Sequence, residues 1–266
     1  MSHIEDLFQA LWADYTRIAP QAPKIASLLQ ARGETIVNDH IALRTFAHSE
    51  VDIEVLDRAF VTAGYEASGR YDFAEKKLTA CHYEHPSADM PKVFISALLL
   101  DECSPRLREI VSQLVAQIPE GAQDDWRFPV LGRPWSIDHK TYLELLQESQ
   151  YAAWVAAFGF RANHFTVAVH KLKSVDSLGA LNQVLLDEGF ILNDQGGQIK
   201  GTPQQGLEQS STMADKVPVE FSDGSFSIPS CYYEFAFRHK MEDDSLFNGF
   251  IAGSATHLFD STNTQS

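Results

Sequence analysis

The chain has 266 residues, of which 44% are hydrophobic and 21% charged, and a formal net charge of −15. That balance suits one large or two small packed domains and excludes wholesale disorder, and so acidic a surface repels phosphate backbones, which sets aside nucleic-acid and anionic-membrane binding. Three cysteines (Cys81, Cys103, Cys231) fit no zinc-ribbon or disulfide framework, and there is neither a basic-then-apolar leader nor a bilayer-length apolar run, so a cytoplasmic protein is expected.

The first element is a predicted helix, with Ile4, Leu7, Phe8, Leu11, Trp12 and Tyr15 on one stripe and Pro20 and Pro23 ending it. A short helix with Ile25, Leu28 and Leu29 follows and closes at Gly33. The period then changes to two. Residues 36–46 read as a strand with Ile41, Leu43 and Thr45 on one face and His40, Ala42, Arg44 and Phe46 on the other. A helix with Val55, Leu56, Ala59, Phe60 and Ala63 inward stops at Gly64, and strands are expected at 70–73, 78–84 and 93–100. Residues 106–118 form an amphipathic helix, 121–138 a loop, and 141–158 one long helix. A strand at 163–170 and a helix at 178–189 come next, then a polar, glycine-rich segment from 193 to 215. Residues 217–221 and 231–238 read as strands around a turn at Asp223-Gly224, and the polar tail from Ser261 is expected to fray.

Two stretches look alike. The segment from Asn38 and the segment from Ala162 both run strand, helix, Gly, aromatic, further strands; His40 overlies His164, and Gly64 overlies Gly189 with one residue inserted. The expectation is an α+β fold of two βαβββ modules sharing a curved mixed sheet. It is one catalytic domain, with N-terminal helices (1–35), a first module (36–103), a helical connector (104–160) and a second module (161–260).

His40, His164 and Glu234 are polar positions inside apolar strands. A carboxylate among Tyr232, Tyr233, Phe235 and Phe237 is costly to bury unless paired or metal-bound. Two neutral imidazoles and one carboxylate form a facial triad with open positions, a set that suits iron(II). The strand KVFISALLL of the first module offers no fourth ligand. The competing readings are a satisfied core histidine in each strand and pairing of Glu234 with Arg238. His82 and His85 are a weaker ligand pair, and His139, His239 and His257 read as surface; the repeat favours His40 with His164.

Arg44 shares a strand face with His40, its Cα ~13 Å away at a rise of about 3.3 Å per residue. That spacing suits a short acid chelating a metal at one end and held by arginine through its carboxylate at the other. An arginine exposed to water or paired with an acid is the alternative. The second copy has Ala168 at the matching place. Gln209 and Ser211 are further candidates for touching substrate, and the 193–211 segment reads equally as a lid or as plain surface loop.

With H-I-A-L-R at His40 to Arg44, EQSSTMADKVPVEFSDG from Glu208 and YYEFAFR from Tyr232, the chain resembles the 2-oxoadipate dioxygenase/decarboxylase (2-hydroxyglutarate synthase) family over most of its length. The resemblance implies a vicinal-oxygen-chelate-like fold and an Fe(II) site on His40, His164 and Glu234, which zinc, nickel or manganese could occupy in a purified sample. It places the substrate-binding and catalytic arginine at Arg44. It further implies decarboxylating oxygenation of a 2-oxo acid by dioxygen, 2-oxoadipate to 2-hydroxyglutarate, within lysine catabolism. The chain is shorter than the best-known bacterial members. A metal-dependent isomerase, lyase or hydrolase and a non-catalytic small-molecule binding protein are the alternatives on the same scaffold, and the sequence carries no sign of an oligomeric state.

Overall fold

The computed structural model describes residues 3–251, 253 and 259–262. Helix α1 (His3–Ile18) buries Ile4, Leu7, Leu11 and Tyr15 and lays Trp12 and Tyr15 against Phe165. Helix α2 (Gln21–Ala31) begins directly after Pro20. Pro23 therefore does not end α1 as predicted; it sits in the first turn of α2, where a missing N–H costs nothing.

Eight strands form one sheet. The first half supplies β1 (Asn38–Phe46), β2 (Glu66–Phe73), β3 (Leu78–Glu84) and β4 (Lys92–Leu98), with short helices α3 (Ile53–Leu56) and α4 (Arg58–Thr62) after β1. Between the halves lie α5 (Pro105–Val115), α6 (His139–Glu148) and α7 (Gln150–Phe158). The second half supplies β5 (Ala162–Ala168), α8 (Leu178–Asp187), β6 (Lys200–Thr202), β7 (Leu207–Ser211) and β10 (Glu234–Arg238). A separate hairpin of β8 (Lys216–Phe221) and β9 (Gly224–Pro229) interrupts it.

The sheet order is β2-β3-β4-β1-β5-β10-β7-β6. Outward from the central antiparallel β1–β5 pair, each half repeats the same pattern: one parallel neighbour, then two antiparallel ones. The two βαβββ halves are thus related by topology, and β8–β9 is an insertion before the last strand of the second.

Other predicted elements also differ. The helix at 141–158 breaks at Ser149, whose hydroxyl accepts from the Ala152 N–H and caps α7. The helix after β1 splits at Asp57. The turn at Asp223-Gly224 joins β8 to β9 rather than to the strand carrying Glu234; β9, GSFSIP, is too polar to show as a strand and pairs only with β8. The 193–215 segment is not a loop, because β6 and β7 lie within it and belong to the main sheet. Its polar side chains are buried in matched pairs, Ser210 to Asn182 (2.7 Å) and Asn193 to Ser261 (2.8 Å). Ser261 and Thr262 are buried rather than frayed; residues 263–266 lie outside the described residues.

Candidate metal centre

Strands β1, β5 and β10 lie side by side at the centre of the sheet. Ala42 faces His164, His40 faces Thr166, and Thr166 faces Glu234 across the next pair. Residues in register share a face, so His40, His164 and Glu234 all project to one side. They are 2%, 6% and 1% exposed. His40 Nε2 lies 3.4 Å from one Glu234 oxygen and His164 Nε2 lies 3.2 Å from the other. One ligand atom from each residue falls within 4.8 Å of the others, a grouping able to hold a metal ion. At the position of the first half that corresponds to Glu234, the partner of Ala42 on β4 is Phe94, so the internal symmetry yields three ligands and one apolar wall.

The residue before each histidine sets its tautomer. Asp39 Oδ1 accepts from His40 Nδ1 at 2.8 Å, and Asn163 Oδ1 accepts from His164 Nδ1 at 3.1 Å. Each Nε2 is thereby left with a lone pair; that of His164 faces Glu234, and that of His40 lies between Glu234 and the Thr166 hydroxyl, 3.1 Å away. Burial, with His40 and Arg44 nearby, holds the His164 imidazole well below its usual range, so it is neutral and a competent ligand. Burial raises the Glu234 carboxyl, against the opposing effects of His40 and of Gln209, which donates to it at 2.7 Å. Two aimed imidazoles and a buried carboxylate form a donor set that fits a divalent metal. Asp39 is the reverse case: burial would raise it, but the Arg238 guanidinium and His40 hold it well below the usual carboxylate range.

Arg44 reaches the same pocket, with its guanidinium 5.1 Å from the ring centroids of both Tyr151 and Trp154 on α7. The Tyr151 hydroxyl is pinned by Ser96 and by the Thr45 N–H, which fixes that wall. Gln209 also lines the pocket; Ser211 does not, and its hydroxyl pairs with Ser261 at 2.8 Å. Arg238 pairs with Asp39 (2.6 and 2.9 Å) and not with Glu234. His82 is buried between Tyr71 and Glu84 in a hydrogen-bonded relay, and His85 caps the Ser87 N–H. His139 is half-buried on Phe226, with ring centroids 3.7 Å apart, and His239 is half-buried against Glu208 at 2.8 Å, so neither is a bare surface residue. His257 lies outside the described residues.

Asp39, Asn163, Arg238 and Phe250 were not foreseen as site residues. For the first two a signal existed: the repeat sets a short acceptor side chain before each histidine, D-H and N-H. For Phe250 there was none. It arrives from beyond β10, with its ring edge-on to His40 at 4.8 Å.

Fold and site together define a protein with a vicinal-oxygen-chelate-like fold and, at the junction of its βαβββ halves, a two-histidine, one-carboxylate cluster able to hold a metal ion. The 2-oxoadipate dioxygenase/decarboxylase family profile matches residues 2–120 and 132–248, and the chain belongs to that family. It is 34% identical over 253 residues to the chloroplastic 2-oxoadipate dioxygenase/decarboxylase of Arabidopsis thaliana, covering 84% of this chain and 67% of that one. Among solved structures, the Oryza sativa hydroxyglutarate synthase in complex with 2-oxoadipate superposes with a TM-score of 0.93 at 31% identity, over 98% of this chain and 92% of that one. A Shewanella frigidimarina protein provisionally described as a hydrolase gives a TM-score of 0.89 at 50% identity, over 94% and 98%. A Ralstonia eutropha protein provisionally placed in the glyoxalase superfamily (TM-score 0.79, 21% identity, 92% and 84% covered) shares the fold alone. Among the described residues no helix is long and apolar enough to cross a membrane.

Proposed function

We propose that this chain is an iron(II)-dependent dioxygenase that decarboxylates a 2-oxo acid, converting 2-oxoadipate and dioxygen to 2-hydroxyglutarate and carbon dioxide in a single catalytic domain. The observation that carries the reading is the convergence of His40, His164 and Glu234, buried and within 4.8 Å, in a member of this enzyme family. Those three residues would hold the metal, which when bound supplies dioxygen activation and an anchor for the keto acid end of the substrate.

The remaining residues bind, orient and exclude water. Among the described residues lining the pocket Arg44 is the cation, and it supports recognition of the substrate's far carboxylate through paired charge-assisted hydrogen bonds. Cation–π contacts with the rings of Tyr151 and Trp154, each 5.1 Å away, hold its guanidinium at the pocket. Phe94, Tyr232 and Phe250 form the apolar wall, which suits the methylene chain of a dicarboxylic oxo acid and keeps water from the reacting carbon. Gln209 orients Glu234. The three cysteines are free and buried, which supports a reducing compartment such as the cytoplasm.

The test is anaerobic reconstitution with iron(II), followed by oxygen uptake across a panel of 2-oxo acids. Equal amounts of dioxygen consumed and carbon dioxide released with 2-oxoadipate are expected, with neither from the metal-free protein. Turnover supported by zinc without oxygen uptake would replace this reading with isomerase, lyase or hydrolase chemistry; ligand binding without turnover would make the chain a binding protein.

A further inference from the structure

The chain that leaves β10 turns back at 240–246 and crosses the open side of the sheet as a strap, residues 246–250. Its fastenings span both halves of the fold. Asn248 donates to both oxygens of Glu84 on β3 (2.8 and 2.7 Å), and the Phe250 N–H donates to the Tyr71 hydroxyl on β2 at 3.2 Å. At its centre the strap is held by Arg238. One guanidinium nitrogen donates to the carbonyls of Phe247 and Gly249, both at 2.9 Å, while the other two nitrogens grip Asp39, the carboxylate that orients His40. The cation also lies 5.4 Å from the centroid of the Phe250 ring, which itself meets His40 edge-on.

We propose that Arg238 is a positioning residue that couples closure of the strap to the readiness of His40 to bind a metal; the inference rests on the metal-site reading above. The guanidinium is planar and its donors are fixed relative to one another, so it cannot serve Asp39 in this geometry without aiming its remaining nitrogen at the strap carbonyls. Arg238 is 5% exposed. When the strap lifts, Arg238 loses the two carbonyls that fix the orientation of its guanidinium, and its bidentate grip on Asp39 is no longer held in place. The Asp39 grip on His40 Nδ1 then loosens, and with it the aim of Nε2. The coupling is reciprocal: whatever fixes His40 also favours the closed strap.

The experiment is amide hydrogen exchange at Phe247 and Phe250 in metal-free protein and at saturating cobalt(II), with cobalt affinity measured by calorimetry. In the wild type, cobalt should slow exchange of these amides about tenfold or more. In Asp39→Asn, which keeps the side-chain size but turns an amide toward the guanidinium, cobalt affinity should fall by about 10- to 100-fold. At saturation the strap should then exchange within about twofold of the metal-free rate. Phe250→Ala, which leaves the Arg238 and Asp39 side chains intact but removes the ring that seats the strap on them and so favours its lifting, should bind cobalt about tenfold more weakly. Cobalt bound by the wild type with no change in strap exchange overturns the coupling, as does equal protection in Asp39→Asn or unaltered affinity in Phe250→Ala. Failure of the wild type to bind cobalt at all overturns the metal-site reading itself.

Discussion

His164 is buried, is held neutral by its surroundings and stacks at 4.6 Å on Tyr232, so its only exposed capacity is the Nε2 lone pair facing Glu234. Replacing it with alanine removes one of the three proposed ligands. His164→Ala should emerge from gel filtration without bound metal, as measured by elemental analysis, and should keep its far-ultraviolet circular dichroism. In the proposed function Arg44 serves the substrate rather than the metal. Arg44→Ala should raise KM for the 2-oxo acid about 10- to 100-fold, the equivalent of charge-assisted hydrogen bonds worth about 1.5–3 kcal/mol, while metal content stays at the parental level. Arg44→Lys should recover little of this, because lysine keeps the charge but loses the fork and the stacking on Tyr151 and Trp154. A parental KM in both variants would remove Arg44 from the site.

Helix α7 shows how an element positions a side chain it does not carry. Every residue from Tyr151 to Phe158 is buried, so the helix is apolar all round, and it presents Tyr151 and Trp154 to Arg44. Its two ends are set by single residues. Ser149→Ala removes the N-cap and should cost about 1 kcal/mol in urea unfolding. Gly159 ends the helix at φ 71° and ψ −148°, a region essentially reserved for glycine, and a Cβ there would lie 2.1 Å from the Gly132 carbonyl oxygen. That carbonyl is fixed by the reciprocal hydrogen bonds between Gly132 and Phe160, both 2.8 Å. Gly159→Ala should therefore destabilise the chain by about 3 kcal/mol or more, seen as a lower urea midpoint or loss of soluble protein.

At the scale of the whole molecule, Glu84 gathers three parts of the fold: Lys92 on β4 at 2.9 Å, His82 on β3 and Asn248 of the strap. Burial would raise its carboxyl, but hydrogen bonds from Lys92, His82 and Asn248 bring it down to about 2. A carboxyl with a folded pKa below its unfolded value of about 4.3 stabilises the fold above that value, and the contribution is lost as pH falls toward 2. Asp39, also depressed, acts in the same direction. The urea midpoint should decline from pH 7 to about 5, because the buried His164 stays neutral where the unfolded imidazole takes up a proton, and drop further between about 4.5 and 2; Glu84→Gln should shrink that second drop. A wild-type midpoint that does not move over this range would refute the assignment.

The duplication, the α+β class and the pairing of His40 with His164 were legible from the sequence alone. Strand periodicity and the repeat of His, Gly and the apolar pattern are local properties written twice, and the buried carboxylate in YYEFAFR stood out because aromatic residues flank it on both sides. The strands β6, β7 and β9 were hidden because their composition is polar; they are strands through the neighbours that satisfy them, as Ser210 is by Asn182 and Ser211 by Ser261. The pairing of Arg238 with Asp39 and the approach of Phe250 to His40 join residues about 200 positions apart, and no local pattern encodes such contacts. Strand alternation determined which residues face one another along a strand; the order of the strands and the path of the chain after β10 decided which of them meet.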